Sequence, residues 1–270
     1  MWWLGFACLG ALVGTFGTLI GVGGGFILVP ILLWLYPNEP SEKLTSISLA
    51  VVFFNALSGS IAYARQRRIE YRSGIAFALA ALPGTVLGAL STQYIHRGAF
   101  DAIIGGLLIV SAVYLFVKPG RSTPHVSTTD GRWHVNMTDR SGEIHTFSFN
   151  PWIGIGLSFV VGYVSSILGI GGGIIHVPAM TNLLHFPVHV ATATSHFILS
   201  IMALSGSTTH LIEGHLNGSW AKLVPLVLGV VIGAQLGAKL STQMGGRGIL
   251  RALSVALLFV GLRTLWTVLK

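Results

Sequence analysis

The sequence predicts an all-α polytopic membrane protein made of two homologous repeats, each of four to five helical segments with Gly-broken helices, the inverted arrangement being favoured. Three observations carry this. The 270 residues are 52% hydrophobic and only 9% charged, where a soluble domain carries about 25% charged residues. Apolar runs of membrane-spanning length recur along the chain. Finally, Gly21-Val22-Gly23-Gly24-Gly25-Phe26-Ile27-Leu28-Val29-Pro30 returns as Gly169-Ile170-Gly171-Gly172-Gly173-Ile174-Ile175-His176-Val177-Pro178, 148 residues later. Four glycines in five positions destabilise a helix. At membrane depth a broken helix is tolerated only where protein or a water-filled cavity satisfies its backbone.

In order, the first apolar segment covers Trp2 to Ile20, long enough to cross a bilayer. After the glycines, a segment over Gly24 to Tyr36 is short for a crossing, and Pro37-Asn38-Glu39-Pro40 ends it as a turn. Leu44 to Ala64 follows, dotted with Ser46, Ser48, Asn55, Ser58 and Ser60, and then a dense basic loop from Arg65 to Arg72. Gly74 to Ile95 places Gly84 and Gly88 four apart, a small-residue packing face, and Phe100 to Val117 closes the first repeat, residues 1–117.

Residues 118–150 form a hydrophilic linker. Its second part alternates apolar and polar residues around Asp139-Arg140-Ser141-Gly142, predicting a small β-hairpin with Trp133, Val135 and Met137 on one strand and Ile144 to Phe149 on the other. An isolated hairpin is marginal in water, so it is expected to pack on the membrane domain.

The second repeat, residues 151–270, runs through Trp152–Leu168, Gly172–His185, Ala191–Leu211, Trp220–Thr242 and Gly248–Leu269. Besides the glycine motif, Ala56-Leu57-Ser58-Gly59-Ser60 recurs as Ala203-Leu204-Ser205-Gly206-Ser207, and Leu90-Ser91-Thr92-Gln93 as Leu240-Ser241-Thr242-Gln243. Gly84 and Gly88 find counterparts in Gly233 and Gly237. Matched anchors in unchanged order read as an internal duplication.

The positive-inside rule puts the Arg65–Arg72 loop in the cytoplasm. If all five segments of each half cross, the halves are inverted, with eleven basic residues inside and four outside. If the short segments are re-entrant and the halves parallel, the count becomes ten and five. The same topology explains the net charge of +8 without nucleic acid as a partner. One cysteine, Cys8, excludes a disulfide framework or a cysteine-rich metal site. Met1-Trp2-Trp3 lacks a positive n-region, so no cleaved signal peptide is expected.

No Asp or Glu lies deep in an apolar segment. Cation-coupled sites in membranes usually need such a carboxylate. The glycine clusters suggest the opposite sign, because a half-helix start offers backbone N–H groups and partial positive charge to an anion. This makes Gly21, Gly23, Gly24, Gly25, Gly169, Gly171, Gly172 and Gly173 substrate-binding candidates; the competing reading is that they only let helices touch. The hydroxyl-rich starts of the third segments add Ser46 and Ser48, and Thr194, Ser195 and His196, with Thr45 and Thr192 beside them. Those hydroxyls serve an oxyanion, or bond the preceding turn. His176 and His196 are candidate anion contacts or proton carriers, or packed core histidines. Asn55 reads as interhelical glue, and His210-x-x-Glu213-x-His215 lacks the spacing of a metal motif. No nucleophile elbow, phosphate loop or paired carboxylates appear, so neither an enzyme nor a cofactor or metal is expected.

Two apolar helices ending in Gly-x-Gly-Gly-Gly-x-x-x-x-Pro, each followed by a Ser/Thr-rich helix, resemble the sulfite exporter TauE/SafE family over nearly the whole chain. The 118–150 stretch is longer than a plain linker. The resemblance implies movement of sulfite, sulfoacetate or a related organosulfur anion across a bacterial inner membrane, and points to the motif glycines with Pro30 and Pro178. The expectation is a multi-pass secondary transporter whose one repeat rocks against the other about a small anion held between the breaks. An anion-selective channel, or a carrier of another small solute, is the alternative. Expected partners are the anion and the lipid bilayer, with a homodimer left open.

Overall fold

Helix boundaries fall where the local sequence can close them. The Glu70 carboxylate accepts the N–H groups of Arg72 and Ser73 at 3.2 and 2.7 Å. Asn150 accepts that of Trp152 at 3.0 Å, with Pro151 in the first turn. The computed structural model describes residues 2–117 and 133–268. Its helices are α1 (Trp2–Ile20), α2 (Gly25–Leu35), α3 (Ser41–Arg65), α4 (Tyr71–Ser91), α5 (Arg97–Val117), α6 (Pro151–Leu168), α7 (Gly173–Asn182), α8 (Val188–Ile212), α9 (Trp220–Ser241) and α10 (Gly246–Val268). A 3-10 turn, Thr92–Tyr94, extends α4, and two strands, β1 (Trp133–Thr138) and β2 (Ile144–Phe149), lie between α5 and α6. Among the described residues eight helices are long and apolar enough to cross a membrane. The chain is thus all-α and polytopic, as the composition demands.

The two short helices turn back. A methyl group on Gly17 of α1 would fall on the Gly24 backbone, and Gly24 lies against Val13, so α2 doubles back along α1. In the same way Gly172 lies against Val161 and His176 meets Ser158, so α7 returns along α6. At 1.5 Å per residue, the 11 residues of α2 reach only about half of the hydrocarbon thickness.

Close glycine contacts fix the helix directions. Gly10 lies on Leu226, Gly14 on Val230 and Gly237 on Thr15, so α1 and α9 run parallel. Gly154 lies on Phe77, Gly84 on Phe159 and Gly88 on Tyr163, so α4 and α6 run parallel. By contrast α3 and α8 are antiparallel: the Ser46 hydroxyl donates to the His215 carbonyl at 3.3 Å, while Gly59 meets His196. So are α5 and α10, joined by Ser254 Oγ donating to the Ala112 carbonyl at 3.0 Å while Gly105 lies against Leu265. Because α3 also runs alongside α9 (Ser58 to Val231, Gln66 to Ala238), and α8 alongside α4 (Thr194 at Glu70, Gly206 at Thr85), every helix of the first half runs opposite to its counterpart in the second. The parallel-halves alternative does not describe this packing.

The principal interfaces join the halves to each other: α1 with α9, α4 with α6, α3 with α8, and α5 with α10. The packing face expected at Gly84 and Gly88, and its counterpart at Gly233 and Gly237, lie in these joints. The joints therefore run between the sequence halves. Backbones in contact at Gly229, Gly233 and Gly237 bind α9 to α1, not to its own half.

The hairpin forms as its alternation predicts, Trp133 pairing with Phe149 and Thr138 with Ile144. It packs down rather than standing free. Phe147 and Phe149 are buried against Phe186, with ring centroids 4.4 and 4.9 Å apart, and Phe77 completes the cluster. On its other side Arg72 stacks over Trp133 at 4.0 Å, and Arg68 Nε reaches Asp139 Oδ2 at 3.4 Å. The hairpin thus sits on the basic α3–α4 loop. The part of the linker from 118 to 132 lies outside the described residues.

Candidate functional site

The two glycine breaks cross each other. Gly21, Gly23 and Gly24 have φ of 84°, 84° and 79°, and Gly169 and Gly171 have 67° and 76°. L side chains rarely adopt this left-handed region. The contact is reciprocal: a methyl on Gly25 would stand 2.7 and 2.6 Å from the carbonyl oxygens of Gly169 and Ile170, and one on Gly173 would fall on the backbone of Gly21 and Val22. Gly23 and Gly171 share the same neighbours, Val52 of α3 and Leu199 of α8, which are themselves counterparts.

Each break ends under a helix from the other half. Ser48 Oγ on α3 donates to the Gly169 carbonyl at 2.7 Å, and Ser195 Oγ on α8 donates to the Gly21 carbonyl at 3.1 Å. One turn earlier, Thr45 packs on Gly169 and Thr192 on Gly21, and both threonine hydroxyls are buried without a hydrogen-bond partner. A buried orphan hydroxyl costs about 1–3 kcal/mol. Its appearance at two equivalent positions marks the crossing as polar by construction.

Beside Ser195, His196 is fully buried on α8, its Nε2 3.1 Å from Thr18 Oγ1. That hydroxyl lies equally 3.1 Å from Asn55 Oδ1, and Tyr63 Oη donates to the Thr18 carbonyl at 2.6 Å. Asn55 Nδ2 has no partner, and His196 Nδ1 has only the Gly21 carbonyl beside it, outside hydrogen-bond geometry. His176, also buried, meets Ser158 at 3.1 Å through Nε2, with Nδ1 facing Gly172.

Of the residues singled out by sequence, the structure gathers the eight glycines, Ser48, Ser195 and His196 at the crossing, with His176 against Gly172. Two others lie elsewhere. Ser46 Oγ donates to the Lys43 and His215 carbonyls at 2.8 and 3.3 Å, and Thr194 Oγ1 accepts the Glu70 N–H at 3.0 Å, so each closes a helix end. Asn55 does join α3 to α1, its Oδ1 accepting from Thr18 Oγ1 at 3.1 Å, while its amide nitrogen has no partner. Thr18 carried no signal of its own, whereas the 147-residue recurrence of Thr45 as Thr192 could have marked that pair.

Two cavities lie off the crossing, and no motif glycine lines either. One, of about 520 Å³, opens between the hairpin turn, the α3–α4 loop and the α9–α10 turn, at Arg68, Asp139 and Gln243. The other, of about 850 Å³, is an apolar groove between α1, α2 and α10. Among the described residues, Asp139, Glu143 and His145 form the one cluster of three side chains with metal-ligand chemistry. Burial alone would raise the Asp139 carboxyl. Hydrogen bonds from the Ser141 hydroxyl and the Glu143 and Ser141 backbone, with Arg68 nearby, outweigh it and hold the group at about 2. That carboxylate is paired with Arg68 at 3.4 Å. His210 and His215 meet through their Nδ1 atoms at 3.1 Å.

Among the described residues, eight helices long and apolar enough to cross a membrane, with two half-helices doubling back to cross at broken starts, define a polytopic membrane protein. The chain belongs to the family described as Sulfite exporter TauE/SafE, which matches residues 6–264. It is similar to the probable membrane transporter protein YunE of Bacillus subtilis, 33% identical over 264 residues and covering 96% of this chain and 95% of that one. It also resembles a probable membrane transporter protein of Methanocaldococcus jannaschii, 24% identical, with 94% and 92% covered. One of Xylella fastidiosa is 24% identical, with 95% and 92% covered. No solved structure matches.

Proposed function

We propose that the protein is a secondary transporter that moves a small anion, a sulfur oxyanion or organosulfonate of the sulfite or sulfoacetate type, across the bacterial cytoplasmic membrane by alternating access. The observation that carries this is the reciprocal crossing of Gly21–Gly25 and Gly169–Gly173 beneath the hydroxyls of α3 and α8. No carboxylate is recorded at that crossing, while two unpartnered threonine hydroxyls, an amide nitrogen and an imidazole nitrogen are. Neutral donors of this kind suit a desolvated oxyanion and repel no negative charge. The family's description as a sulfite exporter supports a sulfur oxyanion as cargo.

In the packing described above the breaks touch, leaving no room for an ion between Gly25 and Gly169. This is the closed state of the cycle. Opening separates the breaks and frees the first N–H groups of α2 and α7 for the cargo. The moving bodies are the tightly joined α1–α9 and α4–α6 pairs, each drawn from both halves, with α3 and α8 between them. The opposite directions of corresponding helices, together with the recurring anchors, fit an inverted duplication, the arrangement from which alternating access follows by symmetry.

The test is thermal unfolding of the purified protein with sulfite, thiosulfate, sulfoacetate or taurine, against chloride and choline controls. A ligand of the folded state raises the Tm. A rise with a sulfur anion, lost in the Gly24→Leu/Gly172→Leu variant, is the expected result. A rise with choline alone sinks the anion reading.

A further inference from the structure

The crossing is symmetric in its glycines and serines, but the polar cluster beside it is not. Where one side has Thr18, Asn55 and His196, the counterparts in the repeat register are Ser166, Met202 and Leu49. Gly59 makes room for the imidazole, since a methyl there would stand 2.5 Å from His196 Cδ2.

The Thr18 hydroxyl has one proton and two partners at 3.1 Å, Asn55 Oδ1 and His196 Nε2. With His196 neutral and its proton on Nδ1, Thr18 donates to Nε2. With His196 protonated on both nitrogens, Nε2–H donates to Thr18 Oγ1, and the hydroxyl turns to Asn55 Oδ1. Both states are satisfied without moving a heavy atom. In both, Asn55 Nδ2–H remains a buried donor without a protein partner, and His196 Nδ1–H has beside it only the Gly21 carbonyl, which already accepts from Ser195 and which it does not meet in hydrogen-bond geometry. His176 has a simpler setting. Its partner Ser158 lies 3.1 Å from Nε2 and 2.7 Å from the Gly154 carbonyl, with no amide side chain beside it.

What faces His196 is neutral. From α1 come Thr18 and Gly21, and from α3 Asn55, Gly59 and the edge-on ring of Tyr63, with centroids 5.8 Å apart. Tyr63 is the one titratable group recorded against the ring, and beyond it Arg68 is paired with Asp139. An imidazolium here has no protein counter-ion, so its charge is matched only when an anion arrives.

We propose, on the anion reading above, that His196 takes up one proton as the anion binds against its Nδ1–H and the Asn55 amide, so that anion and proton cross together. Only one imidazole N–H bond forms and breaks, its proton coming from water on one side onto neutral imidazole and returning to water on the other. For a monovalent anion the loaded site is then electrically neutral, and a pH gradient rather than the membrane potential drives accumulation.

The experiment uses the purified full chain in proteoliposomes, with methanesulfonate, whose acid group stays ionised where an imidazole titrates, from about pH 5 to 8. With the potential clamped at zero, an outside-acid gradient is expected to concentrate methanesulfonate about tenfold per pH unit, as one coupled proton dictates. A potential imposed without a pH gradient is expected to do nothing. His196→Gln, checked for unchanged elution and melting, is expected to lose the pH drive and to respond to potential. Wild-type uptake that ignores the gradient, or a His196→Gln protein that still accumulates tenfold, overturns the coupling. No uptake of methanesulfonate, sulfite or thiosulfate under either force overturns the anion reading itself.

Discussion

Gly25 at the start of α2 lies against Ile170 in the opposite break, so closely that a methyl group there would stand 2.6 Å from the Ile170 carbonyl oxygen. The two breaks therefore share one interface and cannot move independently. Gly25→Ala has no strained φ to satisfy, yet it must push the second break away. Overpacking of this kind costs about 1–3 kcal/mol. The expected outcome is a lowered Tm in detergent and loss of transport, with Gly173→Ala behaving alike because its methyl meets Gly21 and Val22. A Gly25→Ala protein with native transport would mean that the breaks part before any step that matters.

Much of this architecture was legible because a membrane leaves few options. Composition fixes the polytopic class, and glycine runs inside apolar chain announce the breaks. The hairpin followed from strict alternation, and it took a tertiary observation, Phe147 and Phe149 beneath Phe186, to show where it docks. The site was legible only in part. Ser48 and Ser195 reach the opposite break, but Ser46 and Thr194, on the same two helices, close helix ends instead. All four residues lie in the buried N-terminal parts of α3 and α8, where side-chain direction has no hydrophobic periodicity to betray it. Pairing between halves was equally hidden, since a small-residue face names no partner; Gly84 meets Phe159 rather than a helix of its own half.

Ser48 and Ser195 do the same work on opposite breaks, capping the Gly169 and Gly21 carbonyls. Replacing either with Ala leaves a buried carbonyl without its donor, at about 1–3 kcal/mol. Thermal unfolding of Ser48→Ala and Ser195→Ala should show similar losses, and threonine should restore most of the stability at each. Dissimilar losses with no rescue would assign the serines to something other than capping.

The hairpin should be held by charge only above the acid range. The Asp139 carboxyl is depressed to about 2 by its hydrogen bonds and Arg68, from an ordinary value of about 4. A depressed carboxyl contributes its stability fully above the unfolded value, and the contribution falls away between about pH 4 and pH 2 as the group protonates. Amide exchange of residues 144–149 should accelerate through that window in the wild type. Asp139→Asn should exchange faster at neutral pH and show no such acid limb; identical profiles would remove Asp139 from the docking account.

Helix directions and charge together predict which end faces the cytoplasm. The hairpin turn and the Arg65–Arg72 loop share one end through the Arg68–Asp139 pair. The Pro37–Pro40 turn lies at the opposite end of α3, beside Arg97, whose Nη1 donates to the Glu39 carbonyl at 2.7 Å. With the basic loop inside, a cysteine at exposed Ser141 should face the cytoplasm and one at exposed Asn38 the other side. In a Cys8→Ala background, a membrane-impermeant maleimide should label Asn38→Cys in intact cells, and Ser141→Cys only after the membrane is opened. Labelling of both in intact cells would place the hairpin outside. The eleven basic residues on its side would then contradict the positive-inside rule that five alternating segments per half otherwise satisfy.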